Sequence, residues 1–349
     1  MSAFYPLEVT QVRKLTHDSV AIRLRVPPDL RDTFSFEAGQ YLTFRLIREG
    51  SEIRRAYSIA SRPGEEELTV GVKKVPNGIF SLYANEVLQA GDRLEVMPPE
   101  GRFVFSPGSG VKALLALAAG SGITPLLSII TTALKDCADA RVVLVYGNRS
   151  PEETMFRAEI EELKSEFSDR FTVYYIYSRS REEGSLFGRI EASTVNFVTR
   201  NKHKDLAFDR FYLCGPQAMT ELAEETLLGH GVAKDKILHE LFTAPDVADT
   251  LKEELEGKTR LSVTLDGVSH ELVMDQKSLV LDAVLRARID APYSCQGGVC
   301  STCIARVTGG TAQMVKNQIL TPGEIGEGLI LTCQAHPTSP ELKIDYDDV

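Results

Sequence analysis

"PYSCQGGVCSTC", residues 292–303, places Cys295, Cys300 and Cys303 within nine residues, half of the six cysteines in a chain of 349. Only Gln, Gly, Val, Ser and Thr separate them, and Cys333 follows in "LTCQ". Six cysteines are too few to staple a chain this long. They point to a reducing compartment and to metal or redox chemistry rather than a disulfide framework. The hydrophobic share of 43% and charged share of 25% are ordinary for a globular chain, and the length leaves room for two or three cores. A net charge of -10 argues against nucleic acid or an anionic membrane as partner, since both reward basic patches.

The start, "MSAFYPLEVTQVRKL", lacks the apolar run of a signal peptide. The stretch "VKALLALAAGSGITPLLSII" is apolar enough to resemble a membrane span. Its glycines, Ser121, Thr124 and Pro125 break it into a buried strand, a loop and a helix. The expected location is the cytoplasm, with no membrane partner.

Residues 1–107 alternate apolar and polar positions, as in "VAIRLRV" and "YLTFRLI", which predicts antiparallel strands closing into a barrel. Over 108–243 apolar strands lead into helical stretches: "KALLALAAG" into "TPLLSIITTALK", "ARVVLVYG" into "PEETMFRAEIEELKSEF", and "DRFYLCG" into "PQAMTELAEETLL". That alternation predicts a parallel α/β sheet. The charge-rich stretch at 244–258 is expected to be a linker. Residues 259–349 open with "RLSVTLDGVSHELVM", a hairpin turning at Asp266-Gly267, followed by a short helix in "SLVLDAVLRAR" and the cysteine loop.

Cys295, Cys300 and Cys303 are spaced C-x4-C-x2-C, with Cys333 apart, which is the ligand spacing of a plant-type [2Fe–2S] centre. Gly297 and Gly298 let the backbone curl so that N–H groups can face sulfur, and Ser301 and Thr302 leave room for the inorganic core. Structural zinc prefers two C-x2-C or C/H pairs, and only one exists here. A thioredoxin-like reading of "CSTC" leaves Cys295 and Cys333 idle, and a Rieske centre needs two histidines where only His336 is near.

"RAYSIAS", residues 55–61, contains Arg55-x-Tyr57-Ser58, and "NGIFS" contains Gly78 and Ser81. "GSGITP", residues 120–125, joins an apolar strand to a helix, and "CGP", residues 214–216, follows another strand. Alone, R-x-Y-S is a weak signal, a lone buried Cys214 is more often a small hydrophobe, and "GSGITP" is short of a full dinucleotide fingerprint. Together with "HELF" these stretches resemble, in order, the ferredoxin-NADP reductase family, here with a C-terminal plant-type ferredoxin.

The resemblance implies a multidomain fold: an antiparallel β-barrel flavin domain (1–107), an α/β parallel-sheet nucleotide domain (108–243) and an α+β, β-grasp ferredoxin domain (259–349). It implies FAD, although some relatives use FMN, with NADPH or NADH and a [2Fe–2S] cluster. Arg55 would pair with the flavin pyrophosphate, Tyr57 would pack on the ring and Ser58 would bond near its N5. Gly78 and Ser81 would meet the flavin phosphates. Gly120, Gly122, Thr124 and Pro125, with Gly215 and Pro216, would approach the nicotinamide dinucleotide. Cys214 would lie beside the nicotinamide C4, Glu240 would act as a proton relay, and Phe242 would cover the flavin. Ser58, Cys214 and Glu240 are thus the expected catalytic residues.

The strand ends "YGNRS" and "YSRSR" offer Arg149, Ser178 and Arg179 where an NAD site often places an acidic residue. By the resemblance this implies NADPH preference. The cysteine loop, "LTCQAHPTS" and the terminal "DYDD" are similar to the branch serving bacterial phenylacetyl-CoA epoxidase. The implied partner is an oxygenase component or another one-electron acceptor protein, steroid and ring hydroxylases and hybrid cluster proteins included. Residues 259–349 hold seven basic against eleven acidic residues; this suits a basic partner, or is simply a solvated face. Two other classes stay open: a redox sensor, which has no use for Ser58, Cys214 and Glu240 together, and an electron-transfer component fed by a source other than NAD(P)H.

Overall fold

The computed structural model describes residues 3–48, 50–242 and 257–349. It forms two compact units, one of Tyr5–Phe242 and one built from the described residues 257–349 together with 3 and 4. Of the expected linker, residues 244–256 lie outside the described residues.

The first unit opens with strands β1 (Tyr5–Thr16), β2 (Ser19–Arg25), β3 (Tyr41–Arg48), β4 (Ser51–Ser58), β5 (Glu67–Lys73) and β6 (Arg93–Val96), with helix α1 (Ile79–Glu86) after β5. Their order is β4-β3-β6-β1-β2-β5, and every pairing is antiparallel. Ile59, just beyond β4, bridges to Val70 of β5, so the two edges meet and the sheet closes. The alternation that predicts this barrel places Leu7, Ile22, Leu24, Leu42, Phe44 and Val70 in its interior, all fully buried.

The same unit continues with β7 (Ala113–Ala119), α2 (Ile123–Asp136), β8 (Arg141–Asn148), α3 (Arg157–Glu166), β9 (Phe171–Tyr177) and β10 (Leu186–Phe187). It ends with α4 (Ala192–Asn196), β11 (Arg210–Cys214), α5 (Gln217–Gly229) and β12 (Ile237–Glu240). The sheet order is β10-β9-β8-β7-β11-β12, parallel throughout. Leu114, Ala116 and Ala118 join the core under α2, whereas Leu115 and Leu117 pack on the other face with Ala223 and Leu227 of α5. Burial on both faces is why β7 reads as one apolar run.

The barrel and this sheet share a core. Ala38, Phe103 and Phe105 of the barrel side cluster with Ile129 and Ile130 of α2. Ser128 Oγ donates to the Ser61 carbonyl at 2.7 Å, and Tyr212 OH to that of Val104 at 3.0 Å. Each fully buried Leu or Ile of α2 is worth about 1.5–3 kcal/mol of transfer free energy.

The second unit contains β13 (Lys258–Leu265), β14 (Val268–Asp275), α6 (Val280–Arg286), β15 (Ile304–Met314), α7 (Pro322–Gly326), β16 (Leu329–Leu331) and β17 (Ala335–Asp345). The order is β14-β13-β17-β15-β16; β13 and β17 run parallel and the other pairs antiparallel. This is the expected β-grasp, with Val280, Leu281 and Val284 of α6 packed into the sheet's core. Asp266 (φ 52°) and Gly267 (φ 72°) form the two-residue turn that joins β13 to β14. Lys258 already pairs with Asp275, so β13 begins one residue inside the expected linker. Among the described residues no helix is long and apolar enough to cross a membrane.

Candidate active site and metal centre

The strand order of the parallel sheet reverses between β7 and β11, and such a sheet binds ligands in the crevice at the carboxyl ends of the strands where that happens. "GSGITP" leaves β7 at this point and "CGP" leaves β11 beside it. A Cβ on Gly122 would sit 2.0 Å from the Cys214 carbonyl oxygen, so only glycine lets the two turns approach. Gly215 is held likewise, with Ala119 Cβ 3.0 Å from where its own Cβ would be. Gly120 adopts φ +54°, and its carbonyl accepts from Tyr146 OH at 2.9 Å. Thr124 Oγ1 donates to the Ser121 carbonyl at 3.0 Å. Pro125 stands in the first turn of α2, where a missing N–H costs nothing. Pro216 caps α5.

Parallel pairing of β11 with β12 sets Cys214 directly beside Glu240. Ser58, at the end of β4, donates to Glu240 Oε2 at 3.4 Å. Three residues far apart in sequence therefore meet at one buried place. Burial pushes the Glu240 carboxyl up to about 8, against the Ser58 hydroxyl, which draws it down. Burial raises the Cys214 thiol, and the neighbouring Glu240 raises it further, so Cys214 is a neutral thiol.

Strand β4 turns Tyr57 toward Phe44 and Phe80, with ring centroids 5.9 and 5.3 Å away. Arg55 is exposed, its guanidinium donating to the Arg54 carbonyl at 2.7 Å. Gly78 is the N-cap of α1, and a Cβ there would meet Ser81 Oγ at 2.5 Å. Ser81 Oγ accepts from Val75 N–H at 3.1 Å and donates to the Gly78 carbonyl at 3.2 Å, which ties down the approach to a helix N-terminus. Phe242 is 39% exposed, two residues beyond Glu240.

At the carboxyl ends of β8 and β9, Arg179 N–H donates to the Arg149 carbonyl at 2.8 Å and Ser178 N–H to that of Asn148 at 3.0 Å. Arg149, Ser178 and Arg179 thus form one edge, where Arg149 also pairs with Glu153 at 3.4 Å.

In the second unit the four cysteines come together as two couples. Cys295 lies against Cys300, and Cys303 against Cys333. The Cys300 thiol, with the backbone N–H groups of Gly297, Val299 and Cys300, draws Cys295 down to about 6. Gln296 (φ 53°) and Gly298 (φ 74°) are left-handed, which makes the curl that aims those donors inward. Among the described residues no three His, Cys, Asp or Glu side chains converge as ligands of a single ion. Two couples are what a two-iron cluster asks of four thiolates, and the donor set fits a [2Fe–2S] centre. Gln334, which carries no motif of its own, binds loop to strand: its Nε2 donates to the carbonyls of Gln296 (3.0 Å) and Cys333 (2.7 Å). Sequence reasoning misses Gln334 and Tyr146 alike. Neither carries a local signal, because the bond that ties each to the site, Tyr146 to Gly120 and Gln334 to Gln296, spans 26 and 38 positions.

A closed flavin-type barrel, a switch-point crevice and a site of four cysteines together define a flavin and iron–sulfur oxidoreductase that works with a nicotinamide dinucleotide. Three family models match: an oxidoreductase FAD-binding domain over residues 6–105, an oxidoreductase NAD-binding domain over 116–225, and a 2Fe-2S iron-sulfur cluster binding domain over 263–338. The chain belongs to the ferredoxin-NADP reductase family with a C-terminal plant-type [2Fe–2S] domain.

It is similar to a component of the 1,2-phenylacetyl-CoA epoxidase of Escherichia coli K12, with 37% identity covering 99% of each chain. It is also similar to the ferredoxin reductase component of 3-ketosteroid-9-alpha-monooxygenase from Mycolicibacterium smegmatis, with 33% identity over 98% of this chain and 97% of the relative. Among solved structures, phthalate dioxygenase reductase matches with a TM-score of 0.63 and 24% identity over 98% of both chains, a likeness of fold.

Proposed function

We propose that the protein takes electrons from NADPH and delivers them singly to a non-haem di-iron oxygenase acting on an aromatic acyl-CoA, the reaction of a phenylacetyl-CoA epoxidase. The observation that carries this is the similarity along the whole chain to an epoxidase component, at 37% identity. When bound, FAD supplies the exchange between a two-electron donor and one-electron acceptors, and the cluster carries single electrons.

The chain's own residues bind, orient and shield. Arg55 offers a bidentate cation to the flavin pyrophosphate, and the N–H groups behind Gly78 and Ser81 receive the phosphate. Tyr57 would give the ring an aromatic face, and Phe242 would cover the ring where nicotinamide enters. Gly120, Gly122, Thr124, Pro125, Gly215 and Pro216 line the dinucleotide crevice, where glycine brings backbone donors close to pyrophosphate. Arg149, Ser178 and Arg179 read the 2′-phosphate that distinguishes NADPH. Ser58 and Cys214 border the place where nicotinamide meets flavin. Glu240 is held protonated at neutral pH, a proton store within reach of Ser58. Cys295, Cys300, Cys303 and Cys333 ligate the cluster, and the acidic excess of 259–349 favours a basic surface on the oxygenase.

The test is reconstitution of the purified protein with NADPH, oxygen, the oxygenase components and phenylacetyl-CoA, with epoxide followed by product analysis. Turnover that requires this protein and slows as salt rises is the expected result. Equal turnover with an unrelated ferredoxin reductase would overturn the assignment of this oxygenase.

A further inference from the structure

The terminal "DYDD", residues 345–348, has no part in the function described so far, yet the fold clamps it at both ends. The Asp347 carboxylate accepts from the N–H of Asp266 at 2.8 Å and of Gly267 at 2.7 Å, gripping the β13–β14 turn. Asp348 pairs with Arg306 of β15 at 3.1 Å. Tyr346 N–H donates to the Thr264 carbonyl at 3.0 Å. Held this way, the Tyr346 side chain enters the core, leaves only 6% of its residue exposed and packs among Cys303, Cys333 and Leu331.

Its hydroxyl donates to Thr332 Oγ1 at 3.0 Å. Thr332, fully buried beside Cys333, donates in turn to the Cys303 carbonyl through Oγ1 at 2.9 Å and through its backbone N–H at 3.1 Å. A continuous chain of donors thus runs from the Tyr346 hydroxyl to the backbone of one cysteine of the Cys303–Cys333 couple. Packing alone does not need this: phenylalanine would fill the same space without the hydroxyl.

We propose that Tyr346 is a positioning residue for the iron–sulfur cluster, fixing Thr332 and through it the Cys303 carbonyl, and so setting the dipoles around the iron that Cys303 and Cys333 hold. This rests on the assignment of the four cysteines as cluster ligands. Reduction adds negative charge to the cluster, and donors that polarise a nearby carbonyl ease that addition. Removing the first donor therefore lowers the reduction potential. Buried donors also strengthen one another in series, so the two hydroxyls act as one unit.

The experiment compares full-length wild type, Tyr346→Phe, Thr332→Val and the double variant. Iron and sulfide content, the visible spectrum and the cluster's midpoint potential are measured, the last by potentiometric titration followed by electron paramagnetic resonance. Tyr346→Phe is expected to keep full iron and sulfide while its one-electron equilibrium constant falls about threefold, or about 28 mV at 59 mV per tenfold. The double variant is expected to match Thr332→Val, because Tyr346 has nothing left to hold. An unchanged potential in Tyr346→Phe, or additive shifts in the double variant, would overturn the inference. If Thr332→Val fails to retain iron, the Tyr346→Phe potential alone decides. Wild-type protein without iron would overturn the ligand assignment, and this inference with it.

Discussion

Replacing Glu240 by glutamine removes an ionisable carboxyl from a buried site while leaving an amide that can still accept from Ser58. In an unfolded chain the carboxyl titrates at its ordinary 4.5; in the fold it is raised to about 8. Below 4.5 both states are protonated, and Glu240 costs nothing. As pH rises the unfolded chain ionises first, so unfolding releases a proton and the native state loses ground, until the loss is complete above the folded value. At 1.36 kcal/mol per pKa unit the full loss is about 4–5 kcal/mol, of which about 3 is already present at pH 7. Urea unfolding of the first unit, followed by flavin fluorescence in excess FAD from pH 5.5 to 7.5, measures it as a difference between wild type and Glu240→Gln. Other titrating groups cancel in that difference. The variant is expected to gain about 2–3 kcal/mol relative to wild type across the range. A difference that does not change with pH would refute the reasoning and place Glu240 in water or against a cation.

Cys333→Ser is expected to lose iron but keep flavin, since Cys333 lies in a different compact unit from the barrel. NADPH-driven dye reduction should persist while cytochrome c reduction falls, and loss of flavin as well would contradict the division. For Arg179→Ala, steady-state kinetics should give a KM for NADPH about tenfold higher and an unchanged KM for NADH, the worth of one charged hydrogen bond. A constant NADPH-to-NADH preference would remove Arg179 from that role. Gly122→Ala drives a Cβ to 2.0 Å from the Cys214 carbonyl oxygen, a backbone atom that cannot swing aside. Thermal unfolding should record a loss of about 3 kcal/mol or more, with weakened NADPH binding.

What is legible in the sequence is what is local. The barrel strands, the strand–helix alternation, the Asp266-Gly267 turn and the cysteine spacing each lie within a few residues, and the fold class follows from them. What depends on register between distant strands is not legible. Nothing in "HELF" says that its first two residues end β12, or that parallel pairing puts Glu240 opposite Cys214. Nor does "GSGITP" reveal that Gly122 is required by the Cys214 carbonyl rather than by a ligand alone. The shared core of barrel and parallel sheet is hidden for the same reason: Phe103 and Phe105 read as barrel residues, yet they share a core with Ile129 and Ile130 of α2. Gln334 stands in plain view after Cys333, but its partner Gln296 is 38 positions away.

The most direct test of electron flow through this chain is an anaerobic titration of the purified protein with NADPH, following flavin absorbance and the cluster's visible and paramagnetic signals together. NADPH alone is predicted to bleach the flavin, and the cluster signal of the reduced state to appear with it, in protein holding two irons per chain. A flavin that bleaches while the cluster remains oxidised, or a flavin that NADPH cannot reduce, would contradict electron transfer from nicotinamide through flavin to iron and sulfur.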